Sequence, residues 1–136
     1  MSNKVLGLGG VFIYSENPQA LSEWYEKMLG IEVTHFPQYN AHFCEYRYQE
    51  KNSPDKVASI SWSVLKAKHP IVRGEQPHFC INYRLNDLVA FAKHLQENNI
   101  LVGEIQESGE GKFTHIHDPE GNKIELWEPG PDILNG

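Results

Sequence analysis

The side chains best equipped for chemistry gather in the second half of the chain: His78, Cys80, His115, His117 and Glu125. Asp118-Pro119-Glu120-Gly121 places Asp, Pro and Gly where a type I turn wants them. It predicts a hairpin joining a strand over 112–117 to one over 123–127. Side chains alternate along a strand, so Glu125 and Trp127 share one face while Ile124 and Leu126 take the other. On the partner strand Phe113, His115 and His117 oppose Thr114 and Ile116. If the aliphatic face packs on a helix, a carboxylate, an indole and an imidazole meet on the opposite face. Glu125 could then be a catalytic, metal-free general base, or a polar residue merely solvated there. His115 is a candidate for binding a ligand, or an ordinary polar strand residue.

The same alternation selects residues elsewhere. Cys80 shares a face with His78 on a strand predicted over 78–83, where a thiol could meet a ligand or lie inert. Phe12 and Tyr14 share a face with Gly10 on a strand over 11–14, and with Trp127 they are expected to bind ligand through their rings. Trp62 is counted with them, although its strand register could instead send it into the core. Gly7-Leu8-Gly9-Gly10 opens like a dinucleotide loop, but Phe12 stands where the third glycine belongs.

These residues need elements to position them. Asn17-Pro18 is a helix start, with Asn as cap and Pro at the first helical position. Leu21, Trp24, Tyr25, Met28 and Leu29 follow helical spacing, and Gly30 ends the helix. Strands are predicted over 32–36, 41–48 and 56–65, with a loop over 49–55. After a proline-containing connector over 66–77 the pattern restarts. Strand 78–83 leads to a helix capped by Asn86 or Asp87, with Leu88, Phe91, Ala92 and Leu95 on one face. Strands over 101–105, 112–117 and 123–127 complete it. The order strand–helix–strand–strand–strand therefore occurs twice, with an offset of about 68 positions that aligns Gly10 with His78. Leu21, Trp24, Met28, Phe91, Leu95, Ile124 and Leu126 are the expected core.

Composition narrows the function classes. The 136 residues include 40% apolar and 11% aromatic side chains, enough for a folded core. A net charge of −6 with scattered basic residues argues against nucleic acid or an anionic membrane as partner. Two distant cysteines, Cys44 and Cys80, suit free thiols in a reducing compartment. The apolar start over 5–13 is interrupted by glycines and followed by Glu16-Asn17-Pro18, so it predicts a strand and not a leader. The expectation is a single cytoplasmic domain of two modules, about 5–65 and 78–128.

Two segments carry a family resemblance. Val11-Phe12-Ile13-Tyr14, Asn17-Pro18 and Trp24-Tyr25-Glu26-Lys27-Met28-Leu29-Gly30 resemble the opening of vicinal oxygen chelate proteins. Asp118-Pro119-Glu120-Gly121-Asn122-Lys123-Ile124-Glu125-Leu126 is similar to that superfamily's closing hairpin. The superfamily includes glyoxalase I, extradiol dioxygenases, fosfomycin-resistance enzymes and bleomycin-binding proteins. The resemblance implies an α+β fold: two βαβββ modules whose curved mixed sheets enclose a cleft, often in a homodimer. It also implies a divalent metal (Zn, Ni, Fe or Mn) held by the first and last strand of each module. Here those positions give His78 and Glu125 in the second module, but Gly10 and, nearest, Ser61 in the first. A rearranged metal set of His78, His115 and Glu125 would be needed. The implied functions are a glyoxalase-like lyase or isomerase, a dioxygenase-like enzyme, or a metal-free protein that sequesters a small molecule.

Overall fold

The computed structural model describes residues 8, 10–50, 53–71 and 80–131. The chain divides into two compact units, Met1–Ile71 and Val72–Gly136. The first unit runs β1 (Gly10–Ser15), α1 (Pro18–Leu29), β2 (Thr34–Phe36), a 3-10 turn (Pro37–Tyr39), β3 (Ala41–Glu50) and β4 (Ser53–Lys66). Its four strands form one open sheet in the order β1-β4-β3-β2. β1 lies parallel to β4, and the other pairs are antiparallel.

The second unit repeats this plan with β5 (Ile81–Arg84), α2 (Leu88–Glu97), β6 (Gln106–Ser108), β7 (Gly111–His117) and β8 (Lys123–Pro129). Its sheet order is β5-β8-β7-β6, again with one parallel pair, β5 on β8. Each unit is thus a βαβββ module: a four-stranded mixed sheet and one helix. The α+β class expected from the sequence is the class found.

Local chemistry explains the helices. Asn17 Oδ1 accepts the Ala20 N–H at 3.2 Å, and Asp87 Oδ1 accepts the Ala90 N–H at 3.1 Å. Each side chain satisfies one of the helix's orphan donors. Gly30 ends α1 at φ 71°, a left-handed conformation that glycine adopts without a Cβ penalty. α2 has an additional anchor, since the Leu88 N–H donates to Glu128 Oε1 at 2.8 Å. The two caps, residues 17 and 87, stand 70 positions apart. The repeat offset is therefore 70, not 68, and Cys80 falls level with Gly10 in place of His78.

In the first unit Ile13, Leu21, Tyr25, Trp62 and Val64 are buried together between sheet and helix. In the second, Leu88, Leu95, Ile116, Ile124 and Leu126 do the same. Trp24, Met28 and Phe91, expected in the core, are only half-buried. They flank the centre of each helix's apolar stripe, where side chains cover the seam without being enclosed.

The strand expected over 101–105 is not one. Leu101 is exposed, and that segment is tied to β7 at one point: Gly103 N–H donates to His115 O, and Thr114 Oγ1 donates to Gly103 O. The ladder forms at Gln106–Ser108, because the short 109–110 turn fixes Ser108 opposite Gly111. The predicted loop over 49–55 is likewise shorter, with β3 and β4 extending to Glu50 and from Ser53.

Candidate functional site

The site grows from the hairpin. Gly121 N–H donates to Asp118 O at 3.0 Å, the bond that closes the predicted turn. The buried Asp118 carboxylate accepts from the Glu120 and Asn122 backbone N–H groups and from Asn122 Nδ2. A turn held this firmly fixes the register of β7 on β8: Phe113 faces Trp127, and His115 faces Glu125. Ile116, Ile124, Leu126 and Thr114 go to the helix side and are buried. Phe113, His115, Glu125 and Trp127 are left on the open face.

Cross-strand partners on one face lie close enough to interact, and these do. His115 Nε2 and Glu125 Oε2 are 2.9 Å apart. The Phe113 and Trp127 rings are stacked, 6.1 Å between centroids and 13° between planes. Trp127 Nε1 donates to Glu110 O at 2.9 Å, which fixes the ring's orientation. The second oxygen of the carboxylate is also engaged: Asn82 Nδ2 donates to Glu125 Oε1 at 2.7 Å.

Asn82 was missed in the sequence. It is the β5 residue directly opposite Glu125, where His78 was expected. Alternation from Cys80 puts position 82 on the same face, but an asparagine within a strand carries no spacing signal of its own. His78 itself lies outside the described residues. Cys80 is exposed, just ahead of β5. Its thiol is held above the usual range by desolvation and then by the nearby Glu125 carboxylate, so it stays protonated at neutral pH.

In the first unit, Gly10 stands opposite Ser61 on neighbouring strands. Neither offers an anionic or imidazole donor, and the Ser61 hydroxyl is paired with that of Ser63 at 3.2 Å. The end of the Phe12 ring closes over Gly10: a Cβ there would lie 3.0 Å from Phe12 Cζ. Phe12 and Tyr14 are both more than half exposed on the open face. Trp62 is not with them. It is 2% exposed, on the opposite face of the sheet, with its ring against Tyr25 at 5.2 Å. Its strand register makes it core, and it leaves the ligand-binding set.

A tightly held catalytic metal wants about three protein donors and an open position. Here Glu125 and His115 supply two. Among the described residues no group of three His, Cys, Asp or Glu side chains could hold a metal ion. Among the described residues, Glu125 and His115 alone do not complete the site that the family resemblance implies.

No family model matches the sequence, and no curated protein matches it. Solved structures do. An integron cassette protein from the mobile metagenome of V. cholerae is 16% identical with a TM-score of 0.64, covering 94% of this chain and 98% of that one. An antibiotic binding protein from a Streptomyces species is 16% identical with a TM-score of 0.63, covering 93% and 98%. A protein from Bacillus anthracis assigned to the glyoxalase family is 18% identical with a TM-score of 0.61, covering 96% and 100%. Likeness at these identities establishes the fold, and one fold hosts many functions. Among the described residues no helix is long and apolar enough to cross a membrane.

Proposed function

We propose that this chain, which has the vicinal oxygen chelate fold, binds a small planar molecule on the open face of its second unit without a divalent ion. The observation that carries the reading is the state of Glu125. Asn82 and His115 each hold one of its oxygens, so the carboxylate is oriented by hydrogen bonds in place of a metal. A carboxylate oxygen keeps a second acceptor position after one bond. Because the carboxylate accepts from His115 Nε2–H, the neutral ring's Nδ1 is an acceptor too. The ligand class that suits this set carries N–H or O–H donors on a flat ring that lies against Trp127 and Phe113. A relative in fold that binds an antibiotic supports small-molecule binding as the general activity. The −6 net charge and the lack of basic clusters make nucleic acid a poor alternative.

The His115–Glu125 pair also favours a second reading, an isomerase. A carboxylate that orients a histidine leaves the far ring nitrogen able to take a proton from a bound carbon acid and return it at a neighbouring atom. The protein's own residues suffice for that proton movement.

One titration tests the binding reading, with 2-aminobenzimidazole as probe. Its flat ring and adjacent N–H donors match the site. Amide and ring NMR shifts should concentrate on Phe113, His115, Glu125 and Trp127, and persist with EDTA present. Trp127→Ala should weaken the probe on the order of tenfold, the value of one stacking contact of about 1.4 kcal/mol. Glu125→Gln should weaken it comparably by turning one acceptor into a donor. Binding that appears only with added divalent ion, or that ignores both substitutions, would defeat the proposal.

A further inference from the structure

A second polar cluster lies in the first unit, on the helix side of its sheet and apart from the open faces. His35 on β2 and His42 on β3 are directly opposite one another. Their Nδ1 atoms are 2.9 Å apart, and His35 Nε2 lies 3.2 Å from Glu26 Oε1 on α1. His42 is 1% exposed, and its Nε2 is buried without a hydrogen-bond partner among the described residues.

Donor and acceptor rules fix the protons. The Glu26 carboxylate can only accept, so His35 Nε2 carries the hydrogen. A neutral His35 then has a bare Nδ1, and His42 must supply the hydrogen between the rings. His42 is therefore the Nδ1–H tautomer, and its unpartnered Nε2 is a bare acceptor. Adding one proton leaves the chain intact: the bridging hydrogen passes to His35, whose positive charge lies beside Glu26, while Nε2 of His42 becomes N–H. Adding a second puts two N–H groups face to face at 2.9 Å, and the contact must part.

We propose that the Glu26–His35–His42 chain is an acid-sensitive latch that fastens the edge strand β2 to α1 and β3. It tolerates one proton and opens with the second. The strand needs such a fastening, because β2 has three residues and three partners in register. The groups facing His42 agree with the sign. Burial and then the neighbouring His35 lower its pKa from the ordinary 6.5, against a weaker opposing pull from Glu23 on α1. Cys44 is the next same-face residue on β3, and the residue opposite His42 on β4 is the apolar Val64. An unfolded chain protonates both rings below pH 6.5. The folded pair takes fewer protons, so stability is present above that pH and is lost as pH falls through it. Each missing proton reduces the folding constant tenfold per pH unit.

Nitrogen-resolved NMR of the histidine rings in the unaltered protein reads the tautomers directly. At pH 8 the latch requires His42 protonated at Nδ1 and His35 at Nε2. Amide exchange supplies the mechanical readout. After correction for intrinsic rates, Thr34–Phe36 should exchange at least about tenfold faster at pH 5.5 than at 7.5, with the β1–β4 pairing unchanged. His35→Gln, whose amide can bond both neighbours without titrating, should reduce that pH dependence to the part set by the burial of His42. An Nε2–H tautomer at His42, both rings titrating independently near 6.5, or β2 protection that ignores pH would each overturn the latch.

Discussion

Trp62→Ala should lower the stability of the first unit by about 3–5 kcal/mol, the range for deleting a large aromatic side chain from a core. The ring is enclosed by α1 on one side and its own sheet on the other, and it meets Tyr25 edge-on at 63°. Tyr25 in turn meets Trp24 at 5.1 Å, so three aromatic rings lie in one chain of contacts. Removing the sheet-side ring leaves a void that helix and strand cannot both close, since each is held by its own backbone bonds. Urea denaturation followed by the remaining tryptophans would measure it. An unchanged midpoint, together with weaker binding of the aromatic probe, would return Trp62 to the ligand face.

Trp62 also shows where sequence stops informing structure. What is encoded over a few residues was legible: the Asn17 and Asp87 caps, the Gly30 terminator and the Asp118–Gly121 turn each depend on atoms within four positions. Because that turn sets register, the grouping of Phe113, His115, Glu125 and Trp127 on one face followed from alternation alone. Faces set by distant pairing were harder to read. Trp62 points inward because β4 pairs with β1 and β3 in a particular register, and no nearby residue marks that register. The same holds for Asn82, which reaches Glu125 only because a parallel strand 43 residues earlier aligns there. The His35–His42 pair is hidden in the sequence for a related reason: two histidines seven positions apart meet only because a 3-10 turn folds β2 back on β3.

The first-unit metal positions that the family resemblance implies yield the second large effect. Gly10 and Ser61 lie side by side on β1 and β4, so Gly10→His with Ser61→Glu would place an imidazole beside a carboxylate. The new side chain would meet close neighbours at its Cβ. An ideal Cβ on Gly10 lies 3.0 Å and 3.3 Å from the edge of the Phe12 ring and 3.1 Å from Ser61 O. The ring is the far end of a movable, 54% exposed side chain, whereas the carbonyl can give by only a few tenths of an ångström. With the ring free to swing aside, the double variant should bind zinc more tightly than the unaltered chain, on the order of a hundredfold or about 2.7 kcal/mol, as an aligned His–carboxylate pair replaces a hydroxyl. Adding Phe12→Ala should change that affinity little, because the ring already leaves the position and the Ser61 carbonyl stays. Zinc calorimetry on the three proteins separates the possibilities. A gain confined to the triple variant would mean that the Phe12 ring cannot leave the position. No gain in either would mean that residues 10 and 61 do not share a usable face. Tight stoichiometric zinc in the unaltered protein would show a third donor beside Glu125 and His115, and would overturn the metal-free reading.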